Sequence, residues 1–192
     1  MKGFKLPTIF PSILSQMDSV IKKYAEKCLS NGTIPQWFPV FGTLVECKKT
    51  LKAKEPRSGL TLTGKLDALV KLNNGSFYIV DYKTGNPKEE VPIYYQTQLD
   101  GYAYLLEQNG YAPIEGGMLL YFTPQYGKTI GEKLFPFNIT PIKTLVNSQN
   151  IVSLLIKAKE IISKSMPPSQ KENCEICNWR KEVQSILNKK SV

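Results

Sequence analysis

The tightest constraint in this sequence is the stretch from Gly64 to Lys83, because it reads as two strands whose pairing leaves little freedom. Residues 60–72 and 76–83 are rich in apolar and β-branched side chains, and Asn73-Asn74-Gly75 between them is a strong hairpin signal. The second strand is apolar through Phe77, Tyr78, Ile79 and Val80, then ends on Asp81-Tyr82-Lys83. Residues two apart on a strand share a face, so Asp81 and Lys83 project side by side. Ending an apolar strand on two charges is costly unless they are paired or bind something. The turn-forming run Thr84-Gly85-Asn86-Pro87 leaves that end open.

Asp67 interrupts the first strand in the same way, and whether it faces Asp81 depends on the loop. A two-residue loop (Asn74-Gly75) pairs Asn73 with Ser76 and sets Asp67 opposite Tyr82, on the wrong face. A three-residue loop with Gly75 left-handed pairs Leu72 with Ser76 and sets Asp67 opposite Asp81. Sequence alone leaves both registers open. In the second, two carboxylates come within reach of one hard divalent cation, and magnesium suits carboxylates, a backbone carbonyl and water. Lys83 would then position water or stabilise charge on an attacked phosphate. A lone Asp-x-Lys, by contrast, is more often a structural ion pair.

The rest of the chain supplies the frame. Residues 12–29 carry Ile13, Leu14, Met17, Val20, Ile21, Tyr24 and Cys28 at helical spacing, with Ser12 as N-cap. Residues 40–51 lean towards β, and residues 52–59 read as a charged loop. Residues 93–109 predict a second helix, with Tyr95, Leu99, Tyr102 and Leu106 on its apolar stripe. Residues 117–123 and 133–138 predict a strand pair across a turn near Gly127. Thr140-Pro141 reads as the opening of a third helix that runs to about Ser165, before the break at Met166-Pro167-Pro168. The order α-βββ-α-ββ-α predicts an α/β fold with a central mixed sheet flanked by helices. Its 192 residues predict a single domain, residues 1–192, with a C-terminal helix and a Cys-x-x-Cys tail at about 141–192.

Composition removes several chemistries. Histidine is absent, which excludes Ser-His-Asp and Cys-His catalysis and histidine-ligated zinc hydrolysis. The net charge of +9, from 25 basic and 16 acidic residues, points to an anionic partner such as nucleic acid. The lysines are scattered; those between Lys48 and Arg57 and those of the tail are the candidates for phosphate contacts. No apolar run approaches the roughly 18 to 20 residues that span a bilayer, and no signal peptide is recognisable, so a cytoplasmic location is expected. Four cysteines in such a chain do not read as a disulfide framework.

Taken as a set, Gly64-Lys65-Leu66-Asp67, Val80-Asp81-Tyr82-Lys83-Thr84-Gly85 and Gln98-Leu99-Asp100-Gly101-Tyr102 closely resemble the PD-(D/E)XK nuclease superfamily. The steps of 14 residues from Asp67 to Asp81 and 15 from Lys83 to Gln98 look most like its RecB-like branch, which includes CRISPR-associated exonucleases. The resemblance spans roughly residues 11–180 and implies a restriction-endonuclease-like core. It further implies a Mg2+- or Mn2+-dependent deoxyribonuclease that hydrolyses phosphodiester bonds with a metal-activated water, acting in repair or recombination. On this resemblance Asp67 and Asp81 are metal ligands, Tyr82 lends its backbone carbonyl, and Lys83 is the catalytic lysine. Gln98 and Tyr102, four apart on one helix face, match the branch's Gln-x-x-x-Tyr motif; core packing is the competing reading for Tyr102.

Two departures follow. Relatives often place a histidine or acidic ligand on the first helix; Asp18 is our choice for that role here, ahead of Glu26 and Glu46. Relatives with an iron–sulfur cluster carry Cys-x2-Cys-x5-Cys near the C-terminus. Cys174 and Cys177 match its first two positions, but Val183 stands at the third. They read as a cluster remnant, and no intact iron–sulfur cluster is expected. The partner is expected to be single- or double-stranded DNA, with a helicase or a recombination or CRISPR protein beside it. The competing reading is a catalytically idle nuclease-fold module that binds DNA or serves as a subunit of a helicase-nuclease complex.

Overall fold

The computed structural model describes residues 12–47, 50–125, 136–170 and 174–189. The expected turn near Gly127, the start of the expected strand at 133–135, and Lys48 and Lys49 lie outside the described residues. The expected pattern of helices around one mixed sheet is present, with five strands in the order β1-β4-β5-β6-β7. These are β1 (Gly42–Leu44), β4 (Ala68–Leu72), β5 (Phe77–Thr84), β6 (Ile114–Pro124) and β7 (Phe137–Thr144). Only β5 and β6 run parallel, and the helix α2 (Ile93–Gln108) makes the crossover that a parallel pair requires.

Alternation along the central strands divides the core in two. Leu69, Ile79, Leu119 and Tyr121 point to the face covered by α2, with Leu99, Leu105 and Leu106 against them. Val70, Val80, Tyr82, Met118 and Leu120 point the other way, towards Ala25 and Ile21 of α1 (Ser12–Ser30). β6 is buried from Gly116 to Phe122, as a strand covered on both faces must be.

Three expectations are corrected. The stretch 60–72 is not one strand: β3 (Thr61–Gly64) pairs with β2 (Leu51–Lys54) in a separate two-stranded sheet, and only β4 joins the main one. The segment expected as a charged loop contains most of β2. Leu51 and Ala53 are buried while Lys52 and Lys54 are exposed, so lysines on one face of the strand disguised it. Its turn is closed by Glu55, whose carboxylate accepts the N–H groups of Arg57 at 3.2 Å and Ser58 at 2.6 Å.

The third correction concerns Thr140-Pro141, which lies within β7 and does not open a helix. Pro141 stands opposite Leu120 on an edge strand, where a missing N–H is tolerated. The helix α3 (Ser148–Ile162) begins after Asn147, whose side chain accepts the Gln149 N–H at 3.0 Å. A last helix, α4 (Glu175–Lys189), follows the expected break. Among the described residues no helix is long and apolar enough to cross a membrane.

Candidate active site

The β4–β5 hairpin decides the register in favour of the three-residue loop. Leu72 N–H donates to the Ser76 carbonyl at 2.8 Å, and Gly75 takes φ +87°, a left-handed conformation that glycine adopts without steric cost. Ala68 pairs with Val80, so the next step of the ladder sets Asp67 against Asp81. Asp67 bends out of the strand there, and its Oδ2 accepts the Tyr82 N–H at 2.9 Å.

Asp81 and Lys83 share the α2-facing side of β5, as the strand period requires. Asp81 is only 2% exposed. Lys83 Nζ lies 2.5 Å from its Oδ2. From α2, one turn above, Gln98 ties the group together. Its Oε1 accepts from Lys83 Nζ at 3.0 Å, and its Nε2 donates to Asp81 Oδ1 at 3.2 Å and to the Tyr102 hydroxyl oxygen at 2.8 Å. The Tyr102 oxygen is thus an acceptor within the group, and its own O–H remains available as a donor. The hydrophobic stripe of α2 and this polar row overlap at Tyr102, so the packing and site readings both describe it.

Local sequence makes this approach feasible. A Cβ on Gly64 would lie 2.6 Å from Leu105 Cδ1 and 3.3 Å from Tyr102 Cε1. Glycine at that position therefore lets α2 settle against β3 and aim Tyr102 at the strand ends. Tyr95, one turn before Gln98, places its ring under Lys83, with Nζ 4.0 Å from the centroid.

The electrostatics follow from burial. Desolvation pushes the Asp81 carboxyl up to about 6, against the pull of the Lys83 ammonium and with the charge of Asp67 adding to the rise. Burial, reinforced by Asp81, raises the Tyr102 phenol to about 12, so it is a neutral donor at pH 7.

Asp18 reaches this group through Lys22: its Oδ2 accepts from Lys22 Nζ at 2.8 Å, and the same ammonium lies 2.8 Å from Asp67 Oδ1. Burial opposes the charge of Lys22, but the hydrogen bonds and fields of Asp18 and Asp67 outweigh it and hold the amine above the usual lysine range. Glu26 and Glu46 are exposed. Tyr82 contributes only backbone at the site, because its ring is packed against Trp37, Phe38 and Phe122 on the other face. Cys174 and Cys177 neighbour each other at the start of α4, Cys28 is on the buried face of α1, and Cys47 lies near Tyr111.

Sequence reasoning missed Lys22, Tyr95 and Asp100. Lys22 had one local signal, its i,i+4 spacing from Asp18. Asp100 lies inside the motif yet points away from the site. Fully enclosed, it accepts from Gln96 Nε2 at 2.9 Å, Asn147 N at 2.9 Å and Asn150 Nδ2 at 2.8 Å, which pins the start of α3 to α2.

The family model of the PD-(D/E)XK nuclease superfamily matches residues 14–181, nearly the whole chain and every element of the site. The chain belongs to the PD-(D/E)XK nuclease superfamily. Among solved structures it is similar to the crystal structure of SSO0001, at 20% identity and a TM-score of 0.47. That similarity covers 81% of this chain and 63% of the other, so the chain spans less than two thirds of that structure's length. No curated protein matches it.

Whether the residues suit the divalent cation usual in PD-(D/E)XK nucleases can be judged from the donors. Asp81 Oδ2 is buried and receives no aligned hydrogen bond, despite the nearby Lys83 ammonium. Asp67 is held at the neighbouring strand end with its side chain 13% exposed. Two carboxylates of this kind, one of them buried beside an ammonium, suit a hard cation that keeps several waters. Among the described residues no three His, Cys, Asp or Glu side chains gather at one point.

Proposed function

We propose that this PD-(D/E)XK protein is a metal-dependent deoxyribonuclease of the RecB-like kind. The observation that carries the reading is the linked set Lys83–Asp81–Gln98–Tyr102, with Asp67 held beside it by the Tyr82 N–H. A purely structural ion pair needs no glutamine bridging three polar groups, nor a second carboxylate at the adjoining strand end.

Asp67, Asp81 and the Tyr82 carbonyl would hold one Mg2+ or Mn2+. When bound, that ion supplies Lewis-acid stabilisation of the phosphate and eases deprotonation of the attacking water. Lys83 stabilises the negative charge that develops on the phosphate, in a partly buried setting where an ammonium counts for more than in water. Gln98 fixes the position of Lys83 and of Asp81, and Tyr102 offers its O–H to a phosphate oxygen. The net charge of +9 favours DNA as the substrate. The same reading takes residues 1–192 as one nuclease domain working in the cytoplasm, with a helicase or a recombination or CRISPR protein as a partner.

Purified protein incubated with linear single- and double-stranded DNA, in Mg2+, Mn2+ or EDTA, tests this beside Lys83→Ala. Degradation that needs metal and is lost in Lys83→Ala is expected. Retention of DNA without cleavage would assign the chain instead as a binding module with an idle site.

A further inference from the structure

We propose that Lys22 is a resident cation that fills the α1 side of Asp67 and restricts the site to a single divalent ion. This rests on the metal site proposed above and goes beyond it, by fixing how many ions the site takes and which residue sets the number.

Both oxygens of Asp67 are engaged. Oδ2 accepts the Tyr82 N–H at 2.9 Å, on the strand side, and Oδ1 lies 2.8 Å from Lys22 Nζ, on the helix side. The same Nζ is 2.8 Å from Asp18 Oδ2. One ammonium therefore bridges carboxylates from α1 and from the entry to β4, as a metal ion shared between those elements would. In two-metal phosphodiester sites the ions sit roughly 4 Å apart and share a carboxylate. Here the shared carboxylate would be Asp67, and the position on its far side is taken by a cation tethered to the backbone.

This bridge is no loose surface contact. The side chains of Lys22 and Asp67 are 32% and 13% exposed, so neither charge is freely screened by solvent. Lys22 also reaches from α1 into the sheet, where a solvated lysine on the outer helix face would not.

Charge at the site agrees. Asp18, Asp67 and Asp81 bring three negative charges, and Lys22 and Lys83 two positive ones. One divalent ion turns the resulting −1 into +1, which matches the single negative charge of a phosphodiester. A second divalent ion would leave +3 in a half-buried pocket, which the low local dielectric penalises. Replacing Lys22 by a neutral residue frees Asp18 and Asp67 to share an ion and removes one positive charge, so the second site opens.

Manganese titration of the full chain, read by the EPR signal of free Mn2+ and by calorimetry, tests the proposal without DNA or turnover. One Mn2+ per chain is expected for the wild type and for Lys22→Arg. Lys22→Ala is expected to bind two, and Lys22→Ala combined with Asp18→Ala to return to one. Two Mn2+ ions in the wild type, or one in a folded Lys22→Ala, overturns the role of Lys22 and leaves the metal site standing. If Lys22→Ala fails to fold, Lys22→Gln carries the same test, with two Mn2+ expected and one overturning the role of Lys22. No Mn2+ bound by the wild type overturns the metal site and, with it, this proposal.

Discussion

Replacing Lys83 by alanine should make the stability of the protein depend on pH in a direction set by Asp81. With the lysine present, burial already lifts the Asp81 carboxyl from 3.8 to about 6. At about 1.4 kcal/mol for each pH unit, that rise means the folded state gives up about 3 kcal/mol at pH 8 to keep the group ionised. The sign follows from the raised folded value: the unfolded chain releases this proton more readily. Stability therefore increases as pH falls through about 6 and levels off below the unfolded value of 3.8. Lys83 is the largest influence opposing the rise, and its side chain is 15% exposed, so little solvent screening replaces it. Lys83→Ala should move the Asp81 carboxyl above 6 and destabilise the fold by at least about 1 kcal/mol more at pH 8 than at pH 4.5. Urea unfolding of wild type and variant at both pH values, in EDTA, measures the difference directly. An equal loss of stability at pH 8 and pH 4.5 would refute the reasoning, because it would mean that Lys83 does not act on the Asp81 charge.

Three other substitutions probe the frame around that pair. Gly64→Ala should cost about 1–3 kcal/mol in urea unfolding, since its Cβ would press on the buried Leu105 and on the Tyr102 ring. Asp100→Ala should cost about 1–2 kcal/mol and lower Tm, because it removes the buried acceptor shared by Gln96, Asn147 and Asn150 and so loosens the start of α3 from α2. A loss below about 0.5 kcal/mol would show that α3 is held by its apolar face alone. Gln98→Ala should keep the fold and reduce DNA cleavage by about a hundredfold, through misplacement of Lys83 and Tyr102. Full cleavage by that variant would remove the glutamine from the site.

Much of this architecture is legible in the local chemistry of the chain. The helix expected over 12–29 is α1, Ser12–Ser30, and that expected over 93–109 is α2, Ile93–Gln108. The shared face of Asp81 and Lys83 follows from the strand period, and Gln98 and Tyr102 are joined by their helical spacing as expected. Where local cues mislead, a residue type has two meanings. Pro141 can begin a helix or sit in an edge strand, and only the free edge beside β6 selects the second. Lys52 and Lys54 read as loop because the burial of Leu51 and Ala53 comes from α2, some fifty residues on.

Short-range sequence therefore sets the parts: the helices, the hairpin turn, and a carboxylate and an ammonium projecting together at the end of an apolar strand. These depend on side-chain periods and backbone preferences that act within a few residues. Packing across the fold selects which parts meet. It chooses the register that sets Asp67 against Asp81, since Leu69 and Val70 must each bury on their proper face of the sheet. It also links Asp18 to Asp67 through Lys22, because the seating of α1 over the sheet brings that ammonium to both carboxylates. Sequence spacing can align charges within one helix; only packing between elements brings a charge on that helix to a particular strand.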